Sequence, residues 1–106
     1  IHASQVQGMK QILANFNKVF ESRVRLGIMS LLAVNPGMDF TGLKETLAVT
    51  DGNLASHLRA LEEAGYIRMK KSFINRKPNT RYSITDEGME SFSSHLKALE
   101  ELIRNQ

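Results

Sequence analysis

Apolar residues recur along this chain with two different periods, and each change of period marks a change of element. From Ser4 to Phe20 they fall at Val6, Met9, Leu13, Phe16 and Phe20, in steps of three and four. That spacing draws one narrow stripe on a helix, which Ile12 and Val19 widen. The stripe suits packing on the same domain or on a second subunit. Asn15 and Asn17 are weak helix formers and predict a bend or break near the end of this helix. A second helix is expected from Glu21 or Ser22 to Ala33, with Val24, Leu26, Ile28, Met29, Leu31 and Leu32. So many apolar positions leave little polar face, which predicts a central, mostly buried helix. Asn35-Pro36-Gly37 ends it, because proline cannot continue the hydrogen-bond ladder and glycine accepts the turn.

A short helix follows, capped by Asp39 or Thr41 and pointing Leu43 and Leu47 to one side. A tight connection at Ala48-Val49 leads to Thr50, a good cap for the next helix, Asp51 to Ala64. Two short helices joined in this way form a helix-turn-helix. The second helix buries Leu54, Leu58 and Leu61. Gly52, Ser56, Arg59 and Glu63 lie opposite, flanked by Asn53, His57 and Ala60. Its first turns are therefore small and polar on the outside. A helix that enters a major groove about 12 Å wide needs such a surface, so that its backbone approaches and Asn or Ser reaches base edges. His57 flanks the buried seam, where a structural hydrogen bond competes with a base contact.

Gly65 closes that helix. The period then drops to two. Ile67, Met69 and Phe73 share one face of a strand, Arg68 and Lys70 the other, and Lys71 interrupts the alternation, so the strand is expected to twist or leave the sheet there. Alternation resumes at Arg81 to Ile84, after a turn-prone loop at Asn75-Arg76-Lys77-Pro78-Asn79. Thr85 caps a last helix, with Asp86 and Glu87 in its electropositive first turn and Gly88 permitting close packing. Its stripe is Met89, Phe92, Leu96, Leu99 and Ile103, with Leu102 beside it. This second narrow stripe favours a dimer, whose two-fold interface the terminal helices would share.

Composition sharpens the picture through its distribution. The 106 residues suit one domain and carry a formal net charge of +3. From Tyr66 to Thr85 there is no acidic residue and there are six basic ones: Arg68, Lys70, Lys71, Arg76, Lys77 and Arg81. The rest of the chain holds eight basic and 11 acidic residues, a balance of −3. A slightly acidic body thus carries a hairpin of +6. Cations confined to a hairpin beside a small-faced helix point to phosphate contact rather than to a merely solvated face. With no cysteine, disulfides, thiolate metal sites and a cysteine nucleophile are excluded. His2, His57 and His95 are scattered, and neither a metal nor a cofactor is expected. Ser56 and His57 are neighbours on a helix and point apart, so they make no catalytic pair, and no enzymatic activity is expected. No apolar run approaches the length of a membrane span, and no signal peptide is visible, so the expected location is the cytoplasm.

The run from Thr50 through Leu54, His57, Leu58, Leu61 and Gly65 to Ile67 resembles the recognition helix and first strand of winged-helix transcriptional regulators of the ArsR/MarR-like type. Arg81-Tyr82-Ser83-Ile84-Thr85-Asp86-Glu87-Gly88 is similar to the second strand and following helix start in that group. The resemblance extends over residues 21–102. It implies an α+β, mostly helical winged helix-turn-helix with a two-stranded β-hairpin wing. Helix 1–20 and helix 86–106 would serve dimerisation around a core at 21–85. It further implies a homodimer on pseudo-palindromic double-stranded DNA, and the role expected of such a regulator here is that of a repressor. Thr50, Asp51, Asn53 and Ser56 would contact DNA from the helix, and Arg76, Lys77 and Arg81 from the wing. His57, Arg59, Lys70 and Lys71 complete the candidate set by position and charge. The expected dimer residues are Val6, Met9, Leu13, Phe16, Phe20, Phe92, Leu96, Leu99 and Ile103. Many relatives have longer polar or basic residues where this chain has Asp51 and Ser56, which shifts the expected weight from base reading to backbone and shape. A winged helix that only binds protein is the alternative.

Overall fold

The computed structural model describes residues 3–104, with side chains from Gly8 onward. The helices are α1 (Ala3–Ala14), α2 (Arg23–Val34), α3 (Phe40–Leu47), α4 (Asp51–Glu63) and α5 (Asp86–Arg104). The strands are β1 (Met38–Asp39), β2 (Ile67–Ile74) and β3 (Lys77–Ile84). The first helix stops at Ala14, so the break expected at Asn15 and Asn17 is present and the helix does not run on to Phe20. Asn17 then caps a separate 3-10 turn, Lys18–Phe20, its side chain accepting from the Val19 amide at 2.9 Å. The same Asn17 donates through Nδ2 to the Tyr66 hydroxyl at 2.8 Å and through its backbone to His95 Nδ1 at 3.1 Å. The break is therefore a fixed corner that turns Phe20 into the core.

Phe20, Ile28, Met29, Leu32, Leu43, Leu54 and Leu61 are the largest fully buried side chains. They converge on α2, which packs against α3, α4, β3 and α5. Side-chain oxygens of Ser22, Asp39 and Thr50 cap α2, α3 and α4 by accepting from amides three residues on, at 3.4, 2.7 and 3.2 Å. The turn between α3 and α4 passes through Ala48 at φ 54°, a left-handed conformation.

The sheet is antiparallel in the order β1-β3-β2. The hairpin is two-stranded for most of its length. At its base Met38 and Asp39 pair with Tyr82 and Arg81, adding a short third strand. The register between β2 and β3 is continuous from Ile67 opposite Ile84 to Ile74 opposite Lys77. Lys71 thus does not end the strand. It lies on the face that begins with Ile67 and Met69, but the hairpin there has passed beyond the core and nothing remains to bury. The turn is also tighter than the five-residue loop expected. Asn75 and Arg76 alone form it, at φ 52° and 67°, the geometry of a type I′ turn. Pro78 is tolerated inside β3 because β1 pairs only with residues 81 and 82, leaving the outer edge free at the tip.

The base of the wing is locked to α4 and α5. Gly65, at φ 81°, closes α4 with a pair of bonds, Gly65 N–H to Glu62 O and Tyr66 N–H to Leu61 O, each 3.0 Å. Thr85 donates from its hydroxyl to Gly65 O at 2.7 Å and from its amide to Tyr66 O at 3.0 Å. Its hydroxyl oxygen also accepts from Gly88 N–H at 2.9 Å, capping α5.

Candidate nucleic-acid interface

Helix α4 presents Gly52, Asn53, Ser56 and Arg59 to solvent and buries Leu54, Leu58 and Leu61 beneath them. A Cβ added at Gly52 would meet no atom within 4 Å, so this end of the helix is open to close approach. Thr50 is exposed, and its hydroxyl is engaged as the cap. Asp51 is paired with Lys44 of α3 at 2.7 Å, side chains 71% and 43% exposed. The acidic residue at the tip of α4 thus sits beside a compensating cation from the neighbouring helix, and such an exposed pair holds loosely.

His57 lies off the outward face. Arg25 of α2 donates from Nε to His57 Nδ1 at 3.0 Å, and from Nη1 to Val19 O at 3.4 Å. With Nδ1 accepting, the neutral ring carries its proton on Nε2. Like Asp51, it is a candidate DNA-contacting residue already engaged by a neighbouring helix.

The wing carries the charge. Cross-strand neighbours share a face of a hairpin, so Lys70 and Arg81 stand directly opposite each other on one side, together with Arg68. Like charges so placed repel unless an anion comes between them. Lys71 lies on the other side, and Arg76 and Lys77 sit at and beside the turn. All six basic residues are exposed. Arg81 also has a structural bond, donating from Nη2 to Gly37 O at 2.7 Å, which ties the wing base to the residue just before β1.

The residues expected at a subunit interface divide. Phe20 and Phe92 are 0% and 4% exposed and belong to the chain's own core, where their rings meet edge to face, so neither has surface to offer a partner. Phe16 is half-buried against His95, and Met9 and Leu99 are half-buried. Leu13, Leu96 and Ile103 remain exposed at 52%, 46% and 75%. Met89 joins them at 37%, so that Met89, Leu96 and Ile103 form a seven-residue repeat along α5. The side chain of Val6 lies outside the described residues.

Three polar links were invisible in the sequence: Arg25 with His57, Asn17 with His95 and Tyr66, and Lys44 with Asp51. The first two join residues up to 78 positions apart, and no local pattern announces them. Both histidines have folded-state pKa values below the ordinary histidine range. Burial lowers His57, with the Arg25 charge adding to it. Burial lowers His95, against an opposing pull from Glu21. The unfolded chain returns both to about 6.5. As pH falls through that value the unfolded chain takes up protons that the fold resists, so stability is lost on acidification below about pH 6.5. Thermal melts from neutral pH down to about pH 5 check this, and an unchanged Tm across the window would refute it.

Among the described residues no group of three or more His, Asp or Glu could hold a metal ion, and no helix is long and apolar enough to cross a membrane. A helix-turn-helix with a small outward face, followed by a cationic hairpin, defines a winged helix. Residues 24–103 match the winged helix DNA-binding domain family, and the chain belongs to that family. It is 40% identical over 88 residues to an uncharacterised protein of Methanocaldococcus jannaschii, covering 83% of this chain and 96% of that one. It is also similar to a transcriptional regulator homologue from Pyrococcus horikoshii, at 35% identity and a TM-score of 0.81, covering 92% and 95% of the two chains. A MarR family transcriptional regulator from Streptomyces coelicolor, solved in complex with DNA, shares the fold at 18% identity and a TM-score of 0.64, over 97% and 74%.

Proposed function

We propose that this protein is a homodimeric transcriptional regulator of the cytoplasm that binds a pseudo-palindromic operator in double-stranded DNA. Helix α4 lies in the major groove, with Asn53 and Ser56 facing base edges and Arg59 and the Thr50 end of the helix near phosphates. The wing follows the flanking backbone and minor groove through Lys70, Lys71, Arg76, Lys77 and Arg81. Asp51 and Lys44 lie where their pairing can be exchanged for contacts with DNA. Residues Leu13, Met89, Leu96 and Ile103 cover one another across a two-fold axis, which sets the spacing of the two α4 helices. A dimer covering its operator blocks other proteins from the same DNA, so repression is the expected sign.

The observation that carries this reading is the confinement of six cations, unrelieved by any acid, to a hairpin where two of them stand face to face. A closely spaced row of phosphates relieves that repulsion along the whole hairpin. Fluorescence anisotropy with labelled duplex at low salt tests it. Binding is expected, weakening steeply as salt rises. Absence of binding at low salt would transfer the domain to protein interaction.

A further inference from the structure

The wing holds an aromatic ring that the rest of the chain leaves uncovered. Phe73 is 77% exposed. It stands on the face of β2 that starts with the buried Ile67 and half-buried Met69, four residues beyond Met69, where the core ends. Its cross-strand neighbour is Pro78, so the ring and the proline form one apolar step near the tip. Cations surround that step. Lys71 precedes it on the same face, Arg76 is in the adjoining turn, and Lys77, paired with Ile74, lies next to Pro78 on the other face. No acidic residue occurs between positions 64 and 85.

This setting selects the occupant. An ordinary apolar protein surface would have to desolvate the surrounding cations to reach the ring. Duplex DNA offers apolar sugar faces between phosphates, so one surface satisfies the ring and its charged neighbours together. The unbroken register and the type I′ turn carry the ring beyond the core to the end of the hairpin. Resting on the DNA-binding reading above, we propose that Phe73, backed by Pro78, is a DNA-contacting residue. It packs on deoxyribose faces of the minor groove beside the α4 site, while Lys71, Arg76 and Lys77 take the adjacent phosphates. Its contribution is apolar and independent of sequence, and it displaces no counterions.

That last property supplies the test. Phe73→Ala and Phe73→Leu are compared with the unaltered protein on a labelled random-sequence duplex across a salt series. Because Phe73 buries little within the fold, both variants should melt with the unaltered protein. Phe73→Ala is expected to bind about tenfold more weakly at every salt concentration, with the slope of log K against log salt unchanged. Phe73→Leu should retain most of the affinity. Equal affinity of Phe73→Ala and the unaltered protein overturns the assignment. So does a flattened slope, which would mean that the ring only positions the cations. A change in sedimentation of the free protein on Phe73→Ala would give the ring to a contact between copies and overturn it as well. If the unaltered protein itself fails to bind duplex at low salt, the DNA-binding reading falls and takes this inference with it.

Discussion

Replacing Arg76 by glycine and Lys77 by alanine should weaken binding to every DNA sequence while leaving the protein at least as stable. Arg76 occupies the second position of a type I′ turn at φ 67°, a conformation that costs a side-chain-bearing residue about 1 kcal/mol and costs glycine nothing. Asn followed by Gly is the favoured pair for this turn. The chain instead places a guanidinium there, at the most projecting point of the wing. On the DNA-binding reading proposed above, that side chain acts outside the fold, on phosphate. The double variant therefore separates charge from structure. Each lost phosphate contact should flatten the slope of log K against log salt by about 0.9, so about two units vanish with two cations. The affinity loss is expected to exceed about tenfold near physiological salt and to be the same for operator and random duplex. An unchanged slope would remove the wing from the interface.

The second large effect concerns the joint that aims the wing. A Cβ at Gly88 would lie 2.0 Å from Tyr66 O and 2.8 Å from its carbonyl carbon. The obstacle is backbone, and backbone already committed, since Tyr66 O accepts from the Thr85 amide and Gly65 O from the Thr85 hydroxyl. Relief requires α5 to move away from the end of α4. The Thr85 cap, the start of β2 and the packing of Phe92 would shift with it. Gly88→Ala should cost about 3 kcal/mol, at the upper end for overpacking. For a domain of this size that lowers Tm by about 15 °C. A melt within a few degrees of the unaltered protein would show that the joint yields more easily than its geometry implies.

Much of this architecture was legible because it is local. Ser22, Asp39, Thr50 and Thr85 each announce a helix start, and Gly65 an end, by chemistry confined to a few residues. The stripe of Leu54, Leu58 and Leu61 likewise fixes which side of α4 is buried, and so which side is free to meet DNA. What stayed hidden depends on distant partners. Met38–Asp39 is too short to alternate, and it is a strand only because Tyr82 and Arg81 lie alongside. Phe20 and Phe92 continue stripes that look suited to a partner, yet the corner built by Asn17 folds Phe20 inward onto Phe92. The stripe left over on α5 is carried by Met89, Leu96 and Ile103, of which Met89 stood apart from the interface set read from the sequence. The structural bond expected of His57 is present, but its partner was hidden, because Arg25 is 32 positions away. Within the candidate site the charge pattern was plain from the sequence. The facing of Lys70 against Arg81 and the strain at Arg76 required the register.

A homodimer of this protein should place two copies of α4 in adjacent major grooves of one duplex. The most direct measurement selects tight-binding duplexes from a random pool and maps guanine N7 protection on the enriched DNA. Two protected patches related by two-fold symmetry, about 10 bp apart from centre to centre, are predicted. No enrichment over the pool, or a single protected patch, would contradict it.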